Sequence, residues 1–513
     1  SKGRRIIMPN NNQSSDINFN NTYIKYLPEL GAAINPATFN KPSWLITSID
    51  TAELLSLPSF PSLQWLSERS LDWFAGKSSI SGAQPFAQKY TGHQFGHYNP
   101  QLGDGRGVLL GEVESSHGRF DIHVKGAGQT PYSRFGDGRA VVRSSIREFL
   151  ASEALHHLGI PTSRALGVFT TGEQVQRETI EQGAALIRVC PSHIRFGHFE
   201  NAFHHGDTDL QTRLVEYCIN HVLPKEHSDL AELYKADASD VSIEEKTRLL
   251  FRFTIKRTAE MVAKWQAHGF CHGVMNTDNM SILGLTFDYG PFGFLDQYNP
   301  QHICNHSDHT GRYAFDEQPG VALWNLNVLG HSLSGLLDGP ILRAELEQYQ
   351  PHLLAVYSNL MRQKMGFAKH KTEDRILLGE LLSLMQENKA DYSIVWRTLS
   401  EMNNVIVESN KFTDLFIDRD GALKWLQKYS NRLAIETRSD EKRAQTMQAI
   451  NPKYILRNYL AQQVIEAAEQ GDNKPLEELY SVLKRPYDSQ PEYSRYAQHP
   501  PAWSEELSIS CSS

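Results

Sequence analysis

The stretch His272-Gly273-Val274-Met275-Asn276-Thr277-Asp278-Asn279, with Asp288-Tyr289-Gly290 close behind it, decides how the rest of the chain is read. Asp278, Asn279 and Asp288 bring oxygen-bearing side chains into one short region, the donor type that a hard cation such as magnesium takes. Just upstream, Ile255, Ala259 and Val262 recur at i, i+4 and i+7, with Trp265 after them. That is the apolar face of a helix, and it stops at His268-Gly269. Further upstream the period changes. Gly107 to Glu114 and Arg119 to Lys125 read as strands joined by a Ser115–Gly118 turn, the second alternating Phe120, Ile122 and Val124 with polar residues. Val141 to Leu158 reads as a helix ended by Gly159 and Pro161, and Ala184 to Cys190 as a buried strand. Beyond residue 320 helix follows helix, one of them predicted to begin at Asn451-Pro452 with Leu456, Leu460, Val464 and Ala467 as its buried stripe. The expected class is therefore α+β, a β-rich part followed by a larger helical part.

Composition bounds the function. The 513 residues are 40% hydrophobic and 21% charged, an ordinary globular balance. Against 59 acidic residues stand 51 basic ones, a net charge of −8, so no nucleic-acid partner is expected. No apolar run approaches the roughly 18 residues of a membrane span, so no membrane partner is expected either. Ser1 to Gln13 is polar and lacks the apolar core of a secretory signal. Cys190, Cys218, Cys271, Cys304 and Cys511 are too scattered for a disulfide scaffold or a CxxC metal site. A cytoplasmic enzyme is expected, with its oligomeric state left open.

Several features precede the opening stretch in order. Gly103-Asp104-Gly105-Arg106-Gly107 opens onto a strand, and glycines in such a turn let backbone amides approach phosphate oxygens. Lys125 ends the next strand, and Glu148 lies within the following helix, at a spacing that suits a lysine–glutamate pair. Arg188 sits in an apolar strand, with Arg195 shortly after. A buried guanidinium needs a partner, either a structural carboxylate or a polyphosphate. Lys125, Arg188 and Arg195 together suit the larger developing charge of a pyrophosphate leaving group. Two metal-like patterns carry less. His93-Gln94-Phe95-Gly96-His97 has the spacing of a zinc hydrolase helix but has Gln where the Glu is required. His302, Cys304, His306, Asp308 and His309 read as a mixed polar loop.

In kinases H-R-D-x-x-x-x-N precedes D-F-G. Here the His272 to Asn279 spacing is kept, but Val274 stands at the catalytic Asp position and a carboxylate appears at Asp278 instead. The chain resembles the selenoprotein O family of kinase-like protein adenylyltransferases. The resemblance is carried by GVMNTDNMSILGLTFDYGPFGFLD from Gly273, KGAGQTPYSRFGDGRAVVRS from Lys125 and RVCPSHIRFGHFE from Arg188. It implies a protein-kinase-like two-lobe fold with an extra N-terminal segment and a helical C-terminal extension. It also implies ATP bound end for end, with AMP passed to Ser, Thr or Tyr hydroxyls of proteins and pyrophosphate released. On the matching positions, Gly103, Gly105, Arg106, Lys125, Asp137, Gly138, Arg188, Arg195 and Asp288 would bind ATP. Glu148 would pair with Lys125, Asp278 would accept the proton, and Asn279 and Asp288 would hold Mg2+, with Mn2+ as the alternative ion. Several family members carry selenocysteine third from the C-terminus, where this chain has Cys511. The terminal cysteine adds the expectation of a Cys304–Cys511 disulfide gating the segment after Asp288-Tyr289-Gly290.

The expected organisation is a loop-rich segment over 1–80, a β-rich nucleotide-binding lobe over 81–190, and a helical catalytic lobe over 191–335. A helical extension over 336–485 and a tail over 486–513 follow. Two rival readings use the same residues: a phosphotransferase with ordinary ATP orientation and Asp278 as a displaced base, or a catalytically inactive nucleotide-binding scaffold with a redox role at Cys511.

Overall fold

Strand pairing is the framework on which the glycine-rich turn and the basic residues are hung. In the computed structural model, which describes residues 17–235, 240–402 and 410–509, the strands are β1 (Gly31–Ala33), β2 (Ser43–Thr47), β3 (Phe86–Gln88), β4 (Gly92–Gln94), β5 (His97–Asn99), β6 (Gly107–Ser115), β7 (Gly118–Lys125), β8 (Ala140–Val141), β9 (Arg164–Gln176), β10 (Ile180–Cys190), β11 (Phe270–Cys271) and β12 (Gly293–Phe294). An eight-stranded sheet runs β1-β3-β6-β7-β10-β9-β2, with β8 pairing β10 beside that path. Its pairings are antiparallel. β4 and β5 form a separate hairpin, and β11 pairs with β12.

Both faces of this sheet are covered. Phe120, Ile122 and Val124 of β7 and Ala185 and Ile187 of β10 pack on one side with Trp65, Trp73 and Phe74. On the other side Leu109, Val168 and Leu186 meet Ile146, Phe149 and Leu150 of helix α1 (Val142–Leu158). A sheet buried on both faces needs near-continuous apolar strands, which is why Ala184 to Cys190 lacks a clean alternation. The first 80 residues, expected to be loop-rich, supply β1 and β2 to the sheet and short helices at Ile49–Leu54 and Glu68–Phe74. Strands of three and five residues carry too few side chains for a period-2 signal.

The remainder is mostly helical. Helix α2 (Phe196–His204) follows β10, and the long helix α3 (Ile243–His268) is capped by Ser242 and ended by Gly269 at φ 75. Ile255, Ala259, Val262 and Trp265 are all buried on its inner face. Helix α4 (Gln318–Ser332) lies beyond the Asp288-Tyr289-Gly290 segment. The helix predicted from Asn451-Pro452 begins later, as α5 (Asn458–Glu469). The amide of Asn451 is used elsewhere, donating to Lys364 O at 3.0 Å and Ser400 Oγ at 2.8 Å, so it caps no helix. Leu456, Leu460 and Val464 are nevertheless buried. Helix α6 (Lys474–Leu483) follows, and the tail contains two 3-10 turns, Pro491–Ala497 and Ala502–Glu506.

One buried carboxylate joins distant parts of the chain. Glu153 of α1 receives Arg164 Nε at 2.7 Å, Ser48 Oγ at 2.7 Å and Thr51 Oγ1 at 3.0 Å. Tyr480 of α6 donates to the same Ser48 at 3.0 Å. Truncating Arg164 to alanine strands Glu153 in the interior. A loss of about 3–5 kcal/mol is expected from urea unfolding, against under about 1 kcal/mol for an exposed pair.

Candidate active site

A cavity of about 860 Å³ opens between the sheet and the loop that carries Asp278. Gly103, Gly105, Arg106, Lys125, Asp137, Gly138, Arg188, Arg195, Asp278, Asn279 and Asp288 all line it. Residues as far apart in sequence as Gly103 and Asp288 are thus gathered by the fold. Glu148 lies behind this wall and organises it. Lys125 Nζ is 3.0 Å from Glu148 Oε1, while Arg188 binds the same carboxylate through Nε at 2.7 Å and Nη2 at 2.8 Å. Arg188 Nη1 reaches Asp288 Oδ1 at 3.1 Å, and Arg195 Nη1 pairs with Asp288 Oδ2. The partner that a buried Arg188 requires is therefore a carboxylate in the protein itself.

Arg195 is held on all sides. Its guanidinium lies 4.7 Å from the Tyr90 ring and 4.5 Å from the Phe287 ring, and Nη1 donates to Asp278 O at 2.9 Å. Its Nε is buried with no acceptor, a donor left over for a ligand. Arg106 forms no ion pair among the described residues, and desolvation within the cavity together with Arg188 lowers its pKa although Glu148 and Asp288 act in the other direction. At the rim, Asp137 pairs with Arg177 at 3.0 Å and turns back to accept from Arg139 N at 2.9 Å. Gly138 beside it has φ 70, and a Cβ there would stand 2.1 Å from the Gly128 carbonyl carbon, so no larger residue fits without moving the turn.

The two aspartates are in opposite electrostatic states. Burial pushes Asp278 up to about 7, the neighbouring Asp288 adding to a rise that Arg195 and Gln94 only partly offset. Asp288 is also buried, but Arg195 and Arg188 outweigh that and hold its carboxyl far below the usual range. Asp288 sits at φ 55, a left-handed conformation costing a non-glycine residue about 1–3 kcal/mol. Burial lowers Lys125 to about 8 despite Glu148, with Arg106 and Arg188 reinforcing the drop. Asn279 donates Nδ2 to Val274 O at 3.0 Å, which leaves its amide oxygen as the atom for a ligand.

Sequence reasoning missed four contributors. Asp104, inside the glycine-rich turn, accepts from Gln88 N at 3.0 Å and approaches His123 Nε2 at 3.2 Å, pinning the turn to β3 and β7. His123 and Asp121 share the sheet face of Lys125; His123 and Lys125 line the cavity, while Asp121 contacts His193 Nδ1 at 2.9 Å. The signal was present in the alternation of Asp121, His123 and Lys125 with the apolar residues of β7. Gln94, in the hairpin whose His93–His97 spacing is that of a zinc hydrolase motif, donates to Asp278 Oδ2 at 3.3 Å. That motif forms β4 and β5, not a helix. Among the described residues no group of three or more His, Cys, Asp or Glu side chains could hold a metal ion, so His302 to His309 form no such cluster. Cys304 is buried with Sγ 3.5 Å from Cys271 O, and Cys511 lies outside the described residues.

A family model described as protein adenylyltransferase SelO matches residues 14–484. The chain belongs to that family. A protein nucleotidyltransferase YdiU of Erwinia tasmaniensis is 48% identical over 498 residues, covering 96% of this chain and 100% of the relative. The protein of that name from Yersinia pseudotuberculosis is 49% identical, covering 96% and 99%, and that from Vibrio vulnificus 47%, covering 97% and 99%. In this SelO-family chain the core of the site is the Lys125–Glu148–Arg188–Asp288–Arg195 chain of charges.

Removing the central carboxylate tests that core. Glu148→Ala leaves Lys125 and Arg188 buried without their partner, and a loss of about 3–5 kcal/mol is expected in urea unfolding. Arg188 and Lys125 overcome burial and hold Glu148 down to about 2, against 4.5 when free. Its stabilisation is therefore complete above about pH 4.5 and is lost as pH falls toward 2. The stability gap between the native chain and Glu148→Gln should shrink across that window.

Proposed function

We propose that the cavity binds ATP with its polyphosphate innermost and transfers AMP to serine, threonine or tyrosine hydroxyls of proteins, releasing pyrophosphate, on a protein-kinase-like two-lobe scaffold. The observation that carries this reading is a deep wall of cations; at the rim Arg139 and Arg177 are answered by Glu173 and Asp137, and Arg106 is exposed. Lys125, Arg188 and Arg195 are 9%, 6% and 1% exposed, whereas Phe135 at the rim is fully exposed. A triphosphate suits the buried cationic wall and a base suits the open, partly aromatic mouth. In this reading residues 81–190 hold the nucleotide, 191–335 carry the proton acceptor and metal ligands, and 1–80, 336–485 and 486–513 buttress them.

The acceptor alcohol loses its proton to Asp278 as its oxygen attacks the α-phosphorus. The bond from that phosphorus to the bridging oxygen breaks, and pyrophosphate departs with the bond's electron pair. Lys125, Arg106 and the spare N–H groups of Arg188 and Arg195 meet the charge that develops there. Val274 has no group to accept a proton, and a carboxyl lifted to about 7 is suited to do so near neutrality. Asn279 Oδ1 and the Asp288 carboxylate are hard oxygen donors, which fits Mg2+ or Mn2+, an ion that would share the Asp288 oxygens with Arg188 and Arg195. Such an ion would neutralise phosphate charge when bound. The thiols of Cys190, Cys218, Cys271 and Cys304 are free and buried, in keeping with a reducing compartment, and the cytoplasm is the proposed place of work. No helix among the described residues is long and apolar enough to cross a membrane.

Parallel labelling with α- and γ-labelled ATP decides between chemistries. Protein should take up the α label alone, since γ label alone would make the chain a phosphotransferase and no label a binding scaffold. Asp278→Asn should lower the transfer rate about 10²–10⁴-fold, and Asp288→Ala should abolish metal-dependent labelling.

A further inference from the structure

The β4–β5 hairpin is bound to the loop that carries the proposed proton acceptor. His93 N donates to Thr277 Oγ1 at 2.6 Å and Phe95 N to Asn276 Oδ1 at 3.1 Å, while Gln94 reaches Asp278. Gly92 has no room for a side chain, because a Cβ would stand 2.7 Å from Asp278 Oδ1. At the tip, Gly96 at φ 83 presses on Arg312, whose guanidinium carbon would lie 3.3 Å from a Cβ added there. The run Asp278–Gln94–Phe95–Gly96–Arg312 thus sets Arg312 one hairpin tip away from Asp278.

Arg312 forms no ion pair with a carboxylate among the described residues; its guanidinium also lies 5.8 Å from the Tyr313 ring centroid and acts on the Tyr313 hydroxyl. Asp308, four residues before Arg312, spends both oxygens on the Arg312 and Tyr313 backbone N–H groups, at 3.0 and 2.8 Å. Arg312 Nε is buried without an acceptor. The guanidinium lies 4.8 Å from the ring of Trp324, which is 36% exposed. His93 packs 5.4 Å from the same indole, and the carboxylate beneath it, Glu200, is fully buried against His93. With His93 answered by Glu200, Arg312 is the cation left without an ion-pair partner at the hairpin tip, on a chain of net charge −8. A guanidinium fixed on an aromatic face with free donors is suited to a carboxylate.

We infer that Arg312, seated on Trp324, docks an acidic side chain of the protein substrate, so that acceptor hydroxyls are chosen with Asp or Glu nearby. This rests on the adenylyl-transfer reading. The test uses the full chain, α-labelled ATP and a set of peptides with one acceptor hydroxyl flanked by Glu, Gln or Lys. With the native chain, kcat/KM for the Glu peptide should exceed that for the Gln peptide about tenfold, with the Lys peptide lowest. Arg312→Lys should keep that order and Arg312→Glu should invert it in favour of the Lys peptide, a gain that misfolding could not produce. Equal labelling of the peptides by the native chain, or an unchanged Glu preference in Arg312→Glu, overturns the inference alone. Absence of α label from every peptide and every lysate protein overturns the adenylyl-transfer reading with it.

Discussion

Glu148 is the carboxylate against which Lys125 and Arg188 are buried together, and the inner wall of the cavity depends on it. Two cations side by side in an apolar interior are unfavourable unless an anion satisfies them. Satisfying both fixes β7, β10 and α1 in one arrangement. Arg188 and Arg195 then extend the chain of charges to Asp288. The result is an inner wall whose donors are oriented before any ligand enters, the condition under which electrostatic stabilisation is strongest.

That arrangement needs α1 to be held from outside as well as inside. Arg147, next to Glu148, stacks 4.2 Å from the Phe292 ring and donates to Phe292 O at 2.8 Å and Asn458 Oδ1 at 3.2 Å. Phe292 belongs to the segment after Asp288, and Asn458 opens α5. Tyr480 of α6 packs on Phe149 at 5.1 Å between ring centroids. Helices α5 and α6, and the segment bearing Trp65, Trp73 and Phe74, are thus structural partners of the site, closing α1 and the outer sheet face that would otherwise meet water.

The loop bearing Asp278 gains its character from crowding. Gly92 leaves no space beside the carboxylate, and Gly197 admits Thr91 O so closely that a Cβ would stand 2.1 Å from it. Water is kept from one side of Asp278, whose Oδ1 is buried and unpartnered. Exclusion of water lifts this carboxyl, while two guanidiniums hold Asp288 ionised. Two carboxylates of one loop region are driven apart by their surroundings alone.

Read alone, the chain disclosed the long helix from its 3.6-residue period, β7 from alternation with β6 as the strand before it, and the order of glycine turn, lysine, glutamate and aspartates. Local pattern suffices there because helix and strand periods are properties of neighbouring residues. It failed at Asn451, where a good capping residue was claimed by Lys364 and Ser400 from other helices. It was blind to β1 and β2, whose pairing partners lie far along the chain. Alternation in β7 revealed which residues share a face but not that Asp121, His123 and Lys125 are all buried. Whether a polar face is wet depends on the charges brought against it, here Arg119, His193, Asp104 and Glu148. The sequence by itself determined which residue types were available and in what order. Only tertiary structure decided which of them meet, because burial and charge pairing are properties of space and not of order along the chain.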